Sequence, residues 1–118
     1  MSLKFTHKPN YFLYADLLIK YIQGYVRKYP EVNNAIFDLN DIYKLFTEDY
    51  ASTTVNLAGI LNIADEYTVE TINGDCKVIL NHRIDVENHK LLVDFNQAAL
   101  EGLRQGNPLI APDPTIQQ

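Results

Sequence analysis

The sequence predicts an α+β domain, with three helices and one short strand first, then a three-stranded antiparallel meander and a short closing helix. Three observations lead there. Residues 11–29 repeat polar side chains at helical steps, and two turn-forming pairs, Asn73–Gly74 and Asn88–His89, punctuate strand-like segments. The 118 residues, 47% hydrophobic and 21% charged, suit one core of ordinary globular composition.

The first helix is expected over Tyr11 to Tyr29. Asp16, Lys20, Gln23 and Arg27 fall on one narrow stripe, and Asp16 and Lys20 form a favourable pair one turn apart. The remainder is largely apolar or aromatic, with five of the eight tyrosines (Tyr11, Tyr14, Tyr21, Tyr25 and Tyr29). A surface helix needs an apolar arc of only about 100°. This one is apolar over more than that, so it must be covered on several sides, by its own domain or by another subunit. Pro30 ends it.

Ala35–Ile36–Phe37 reads as a short strand, after which Asp38 caps a second helix, with Asp41 at a capping-box-like position. Leu39, Ile42, Tyr43 and Phe46 form its buried face. A third helix is expected from Ser52 to about Glu66, where Gly59 suggests a close approach by another backbone.

A turn at Asn73–Gly74 sets Val69 opposite Val78 and Glu70 opposite Lys77. A turn at Asn88–His89 sets Val86 opposite Leu91, Ile84 opposite Val93, Arg83 opposite Asp94 and Glu87 opposite Lys90. The expected strands are 67–72, 75–86 and 91–95. Their core face is Tyr67, Val69, Val78, Leu80, His82, Ile84, Val86, Leu91, Val93 and Phe95. Asn96 caps a last helix to about Gln105, and Gly106 ends it. Residues 1–10 read as an N-terminal arm and 11–105 as the domain. Residues 106–118 read as a tail, extended or disordered, in which Gly106, Pro108, Pro112 and Pro114 forbid a regular element.

Helix, short strand, two helices, hairpin and helix is the winged-helix order, in which the third helix and the wing commonly face DNA. The stretch from Ile36 to Leu103 resembles the winged-helix domains of plasmid replication initiator proteins. The residues that carry the resemblance are Ile36–Phe37–Asp38, the helix with Ile42 and Leu45, the third helix through Leu57 and Leu61, the strand Lys77 to Asp85, and Leu91 to Asn96. The resemblance implies a prokaryotic setting in replication, transcriptional control or a mobile element. A full initiator would be about twice this length, with two such domains. The chain departs from that family where DNA reading would occur, since Ser52 to Glu66 contains neither Lys nor Arg.

Charge is uneven along the chain. Residues 1–30 hold five Lys/Arg against Asp16, a balance of +4, and the remaining residues hold five against fourteen acids, a balance of −9. The acidic body repels nucleic acid and anionic membranes. A nucleic-acid partner would have to meet the basic start, through Lys4, Lys8, Lys20, Arg27 and Lys28. No apolar run reaches the ~18–20 residues of a membrane span. Met1 to Pro9 lacks the apolar core of a secretory leader, and the single cysteine, Cys76, suits a reducing cytoplasm.

No catalytic constellation is expected. His82 and Asp85 point to opposite faces of one strand and His89 sits in a turn, so a hydrogen-bonded core histidine is expected rather than a metal ligand. Cys76 has no base beside it in sequence, and the five glycines are too dispersed for a phosphate loop. The expected function is therefore a non-catalytic module acting by protein contact. It would be a homodimer through helix 11–29, using Tyr14, Leu18, Tyr21, Tyr25 and Tyr29, with no cofactor or metal. The alternatives are DNA binding by the basic arm and helix, and an acidic DNA mimic that inhibits a DNA-binding protein.

Overall fold

The fold is that of a computed structural model, which describes residues 11–46 and 57–112. Among them are four helices and two small antiparallel sheets of three strands each. Helix α1 (Tyr11–Lys28) leads to strand β1 (Asn34–Asp38) and the short helix α2 (Leu39–Tyr43). After α3 (Leu57–Ala64) come β2 (Thr68–Thr71), β3 (Gly74–Lys77), β4 (Ile79–Asp85) and β5 (Lys90–Phe95). Helix α4 (Gln97–Arg104) and the two-residue strand β6 (Leu109–Ile110) follow. The expected start of the third helix, residues 52–56, lies outside the described residues.

Both expected caps are present. Asp38 accepts from the Asn40 N–H at 2.8 Å and Asn96 from the Ala98 N–H at 3.0 Å, each meeting a donor the helix leaves open. Gly106, at φ +91, follows the last turn of α4.

The strands differ from the expected meander in three ways. The strand expected over 75–86 bends at Val78 and divides between the sheets. Val78 donates to Tyr67 O at 3.2 Å and accepts from the Asn96 N–H at 2.9 Å, so it stays bonded where the sheets meet. The first hairpin slips by two residues, which sets Val69 opposite Cys76 and Glu70 opposite Asp75. Only Gly74 takes a positive φ, whereas a turn at 73–74 would need it at Asn73 as well. The Thr71 hydroxyl fixes the observed turn, accepting from the Asn73 N–H at 3.0 Å and donating to Gly74 O at 2.7 Å.

The second hairpin slips by two, so that Ile84 faces Leu91, His82 faces Val93 and Asp85 faces Lys90. The Asp85 carboxylate draws the turn open by accepting from both the backbone and side-chain amides of Asn88. His89 holds the left-handed conformation at φ 59. An even slip preserves faces, which is why Leu91, Val93 and Phe95 are buried as expected. Leu80 and Val86 are corrections to the core list. A register irregularity turns Leu80 outward and the wider turn leaves Val86 exposed.

Strand β1 completes the first sheet, in the order β1-β5-β4, and the second runs β3-β2-β6. The glycine and prolines of the tail do not forbid a regular element after all, since Leu109–Ile110 is extended and paired with β2, and Asn107 Nδ2 donates to Glu70 O at 2.7 Å. The core joins Leu18, Ile19 and Ile22 of α1 to Ile60 and Leu61 of α3, Val69 of β2, Leu91 and Val93 of β5 and Leu100 of α4. Helix α1 packs on α3 and α4 packs on β2. At the second contact Gly102 lets the backbones close up, since a Cβ there would lie 2.8 Å from Val69 Cγ1 and 3.2 Å from Glu70 O.

Candidate protein-contact face

Helix α1 buries Ala15, Leu18, Ile19, Ile22 and Val26, at steps of three and four residues. Leu18 therefore corrects the expected interface set, because it is fully enclosed by its own domain. A second line, Leu13, Leu17 and Tyr21, runs at four-residue steps along the exposed side, with Leu17 36% and Tyr21 37% exposed. Like Leu18, Leu17 is an apolar residue of the helix, but only tertiary packing tells which of the two is covered.

The tyrosines divide between core rim and surface. Tyr14 stacks on Phe46 with ring centroids 5.1 Å apart. Tyr25 meets Phe37 edge-on at 5.1 Å and Tyr29 at 4.9 Å, and is half-buried. Tyr21 lies 5.6 Å from Phe37, at the inner side of β1, with part of its ring open to solvent. Burial first, and then the charge of Asp41, raises the Tyr21 phenol above its ordinary range. It is a neutral donor at neutral pH. Tyr29 is exposed, with the Lys28 ammonium 5.7 Å from its ring centroid.

Ile36 extends this apolar surface around the edge of the sheet. It stands on the outer face of β1 and is 64% exposed, opposite half-buried Leu92. Sequence reading placed it in the strand but did not name it as a surface residue. The alternation Ala35–Ile36–Phe37 was the available signal, since two inward residues flank one outward residue.

Of the five basic residues expected to meet a nucleic acid, Lys20, Arg27 and Lys28 are among the described residues. Lys4 and Lys8 lie outside the described residues. Lys20 pairs with Asp16 at 3.1 Å, as expected from their spacing. Arg27 and Lys28 occupy the last turn of α1, where cations suit the helix dipole. Arg104 donates to Pro30 O and pairs with Glu101 at 2.9 Å, tying α4 to the segment after α1. Between them Gln23, Val26, Arg27, Pro30, Leu103 and Arg104 line a cavity of about 200 Å³. That is below the ~300–1,000 Å³ of typical small-molecule sites.

Chemistry-bearing side chains have structural partners. His82 Nδ1 lies 3.1 Å from the Asp65 carboxylate, half-buried, and joins β4 to the end of α3. Burial raises the Asp65 carboxyl, while His82 beside it acts to lower it. His89 Nε2 lies 3.0 Å from Asn40 Oδ1. Cys76 Sγ lies 3.5 Å from the Thr71 hydroxyl, which is too weak a base to activate a thiol. Among the described residues no three His, Cys, Asp or Glu side chains converge as a metal site. No described helix is long and apolar enough to cross a membrane.

Protein-family models, curated proteins and solved structures yield no match to the chain. The surface itself must carry the functional reading, and its distinguishing feature is the apolar line of α1 continuing to the rim of β1.

Proposed function

We propose that the chain is a non-catalytic, winged-helix-like binding module that works by protein contact, as a homodimer through the exposed side of α1. The observation that carries this reading is the row Leu17 and Tyr21, which stays open to solvent on a helix whose opposite side is fully packed. Tyrosine suits such a surface because its ring contributes contact area while its hydroxyl tolerates water. The winged-helix comparison draws support from the order α1, β1, α2, α3 and a later hairpin. It is also supported by the pairing of β1 with β5, the second strand of the β4–β5 hairpin. The extra β2–β3 hairpin stands between α3 and that wing. A setting in prokaryotic replication or transcriptional control follows from the resemblance to plasmid initiators alone.

Duplex recognition by α3 has no comparable support. Leu57, Ile60, Leu61 and Ala64 are buried, and the helix has no cationic side chain to offer a phosphate. Light scattering on the purified chain at tens of micromolar tests the reading. The expected result is a dimer mass that Tyr21→Glu reduces to a monomer while the circular dichroism spectrum is retained. A monomeric parent chain overturns it.

A further inference from the structure

We infer that the free edge of β1 is a strand-pairing site whose partner is the same strand of a second copy, aligned about Ile36. This deepens the proposed function and rests on the reading of the chain as a self-associating module. Its basis is the direction of the backbone groups. The bonds Phe95 N–H to Asn33 O and Leu39 N–H to His89 O, with the register between, point residues 33, 35, 37 and 39 toward β5. The N–H and C=O groups of Asn34, Ile36 and Asp38 therefore point the other way. Among the described residues no strand lies on that side, because β1 ends the sheet.

Sheet edges of this kind are normally blunted by lysine, proline, a bulge or a covering element. Strand β1, Asn-Ala-Ile-Phe-Asp, has none of the first three: it holds neither Lys nor Pro, and its register with β5 is regular. Apolar groups flank the edge on both faces instead, Tyr21 against Phe37 on the inner face and Ile36 beside Leu92 on the outer.

The strand also complements itself. An antiparallel two-fold at Ile36 sets each outward residue opposite an outward residue, Ile36 on Ile36 and Asn34 on Asp38, so both strands offer matching donors and acceptors. On the inner face it sets small Ala35 beside large Phe37, and no like charges oppose one another. A parallel pairing would instead place Asp38 against Asp38. The antiparallel pairing would yield one six-stranded sheet in the order β4-β5-β1-β1-β5-β4. Five residues of edge alone fall short of the ~800 Å² per partner of a standard interface, so Leu17 and Tyr21 must join the contact.

Amide hydrogen exchange of the full chain at low and high concentration tests the inference. When about 90% of the chain is paired, the amides of Asn34, Ile36 and Asp38 should exchange on the order of tenfold more slowly, and dilution should abolish the effect. Ile36→Pro removes an outward N–H and the outer-face side chain but no bond to β5, so it should give a monomer that keeps the fold. If it unfolds, exchange in the parent chain still decides. A dimer with these three amides unprotected overturns the edge pairing but leaves the α1 reading in place. Protection that persists in the dilute monomer means that the chain's own residues cover the edge, and also overturns it. A chain that is monomeric at every concentration overturns both.

Discussion

The Tyr67 hydroxyl donates to Asp16 Oδ1 at 3.2 Å, joining the start of the β-half to α1 across 51 residues of chain. Burial first, then the neighbouring charge and the hydrogen bond, push its phenol up to about 12. A phenol raised in the fold stabilises it below the ordinary tyrosine range, and that stabilisation is lost as pH rises through the folded value. Absorbance titration should therefore show a tyrosine that resists ionisation until about pH 12, and Tyr67→Phe should remove that step. No sequence spacing reveals this bond, whereas the caps Asp38 and Asn96 were legible because a cap acts within its own turn. Leu18 shows the complementary limit. Periodicity places it among the apolar residues of α1, but the side it faces depends on where α3 packs.

At the scale of elements, two glycines predict opposite effects of one substitution. Gly24 in α1 has nothing within 4 Å of a Cβ position, so Gly24→Ala should stabilise by about 0.8–1 kcal/mol through helix propensity. Gly102→Ala would gain the same propensity but meets buried Val69 and a backbone carbonyl. Overpacking of about 1–3 kcal/mol should outweigh the gain. Urea midpoints should move in opposite directions. The strand boundaries teach a related lesson. Residues 79–85 and 90–95 were recognisable as partners from alternation, and an even slip left most of their faces intact. The 68–77 hairpin also slipped by two residues, because the Thr71 hydroxyl and Gly74 determine the turn, which neither apolar nor charge matching anticipates.

For the whole molecule, carboxylates bias stability against acid. Asp38 is held below the ordinary carboxylate range first by the Asn40 N–H and also by Lys90. Asp85 is held there by Asn88, and Glu101 by Arg104. Carboxyls lowered in this way stabilise the fold above their unfolded range, and that contribution is lost as pH falls through the folded values. Burial raises Asp65, whose contribution has the opposite sign: it is present in acid and lost as pH rises. With three groups against one, urea midpoints should decline below about pH 4. Asp38→Asn keeps a capping oxygen but cannot titrate, so its difference from the parent chain should shrink over the same window. If the difference is independent of pH, the Asp38 carboxyl contributes nothing to acid sensitivity.

Local chemistry in the chain by itself determined an α+β composition, the two helix caps, the helical character of 11–28 and the inward residues of β5. These depend on neighbours within one turn or on period-two alternation. Tertiary structure alone decided the division at Val78 into two sheets, the pairing of the tail with β2, the burial of Leu18 beside open Leu17, and, among the described residues, the place of β1 at the end of its sheet. Each of these is a relation between segments far apart in the chain. Backbone hydrogen bonding and close packing settle such relations only when all the elements are assembled.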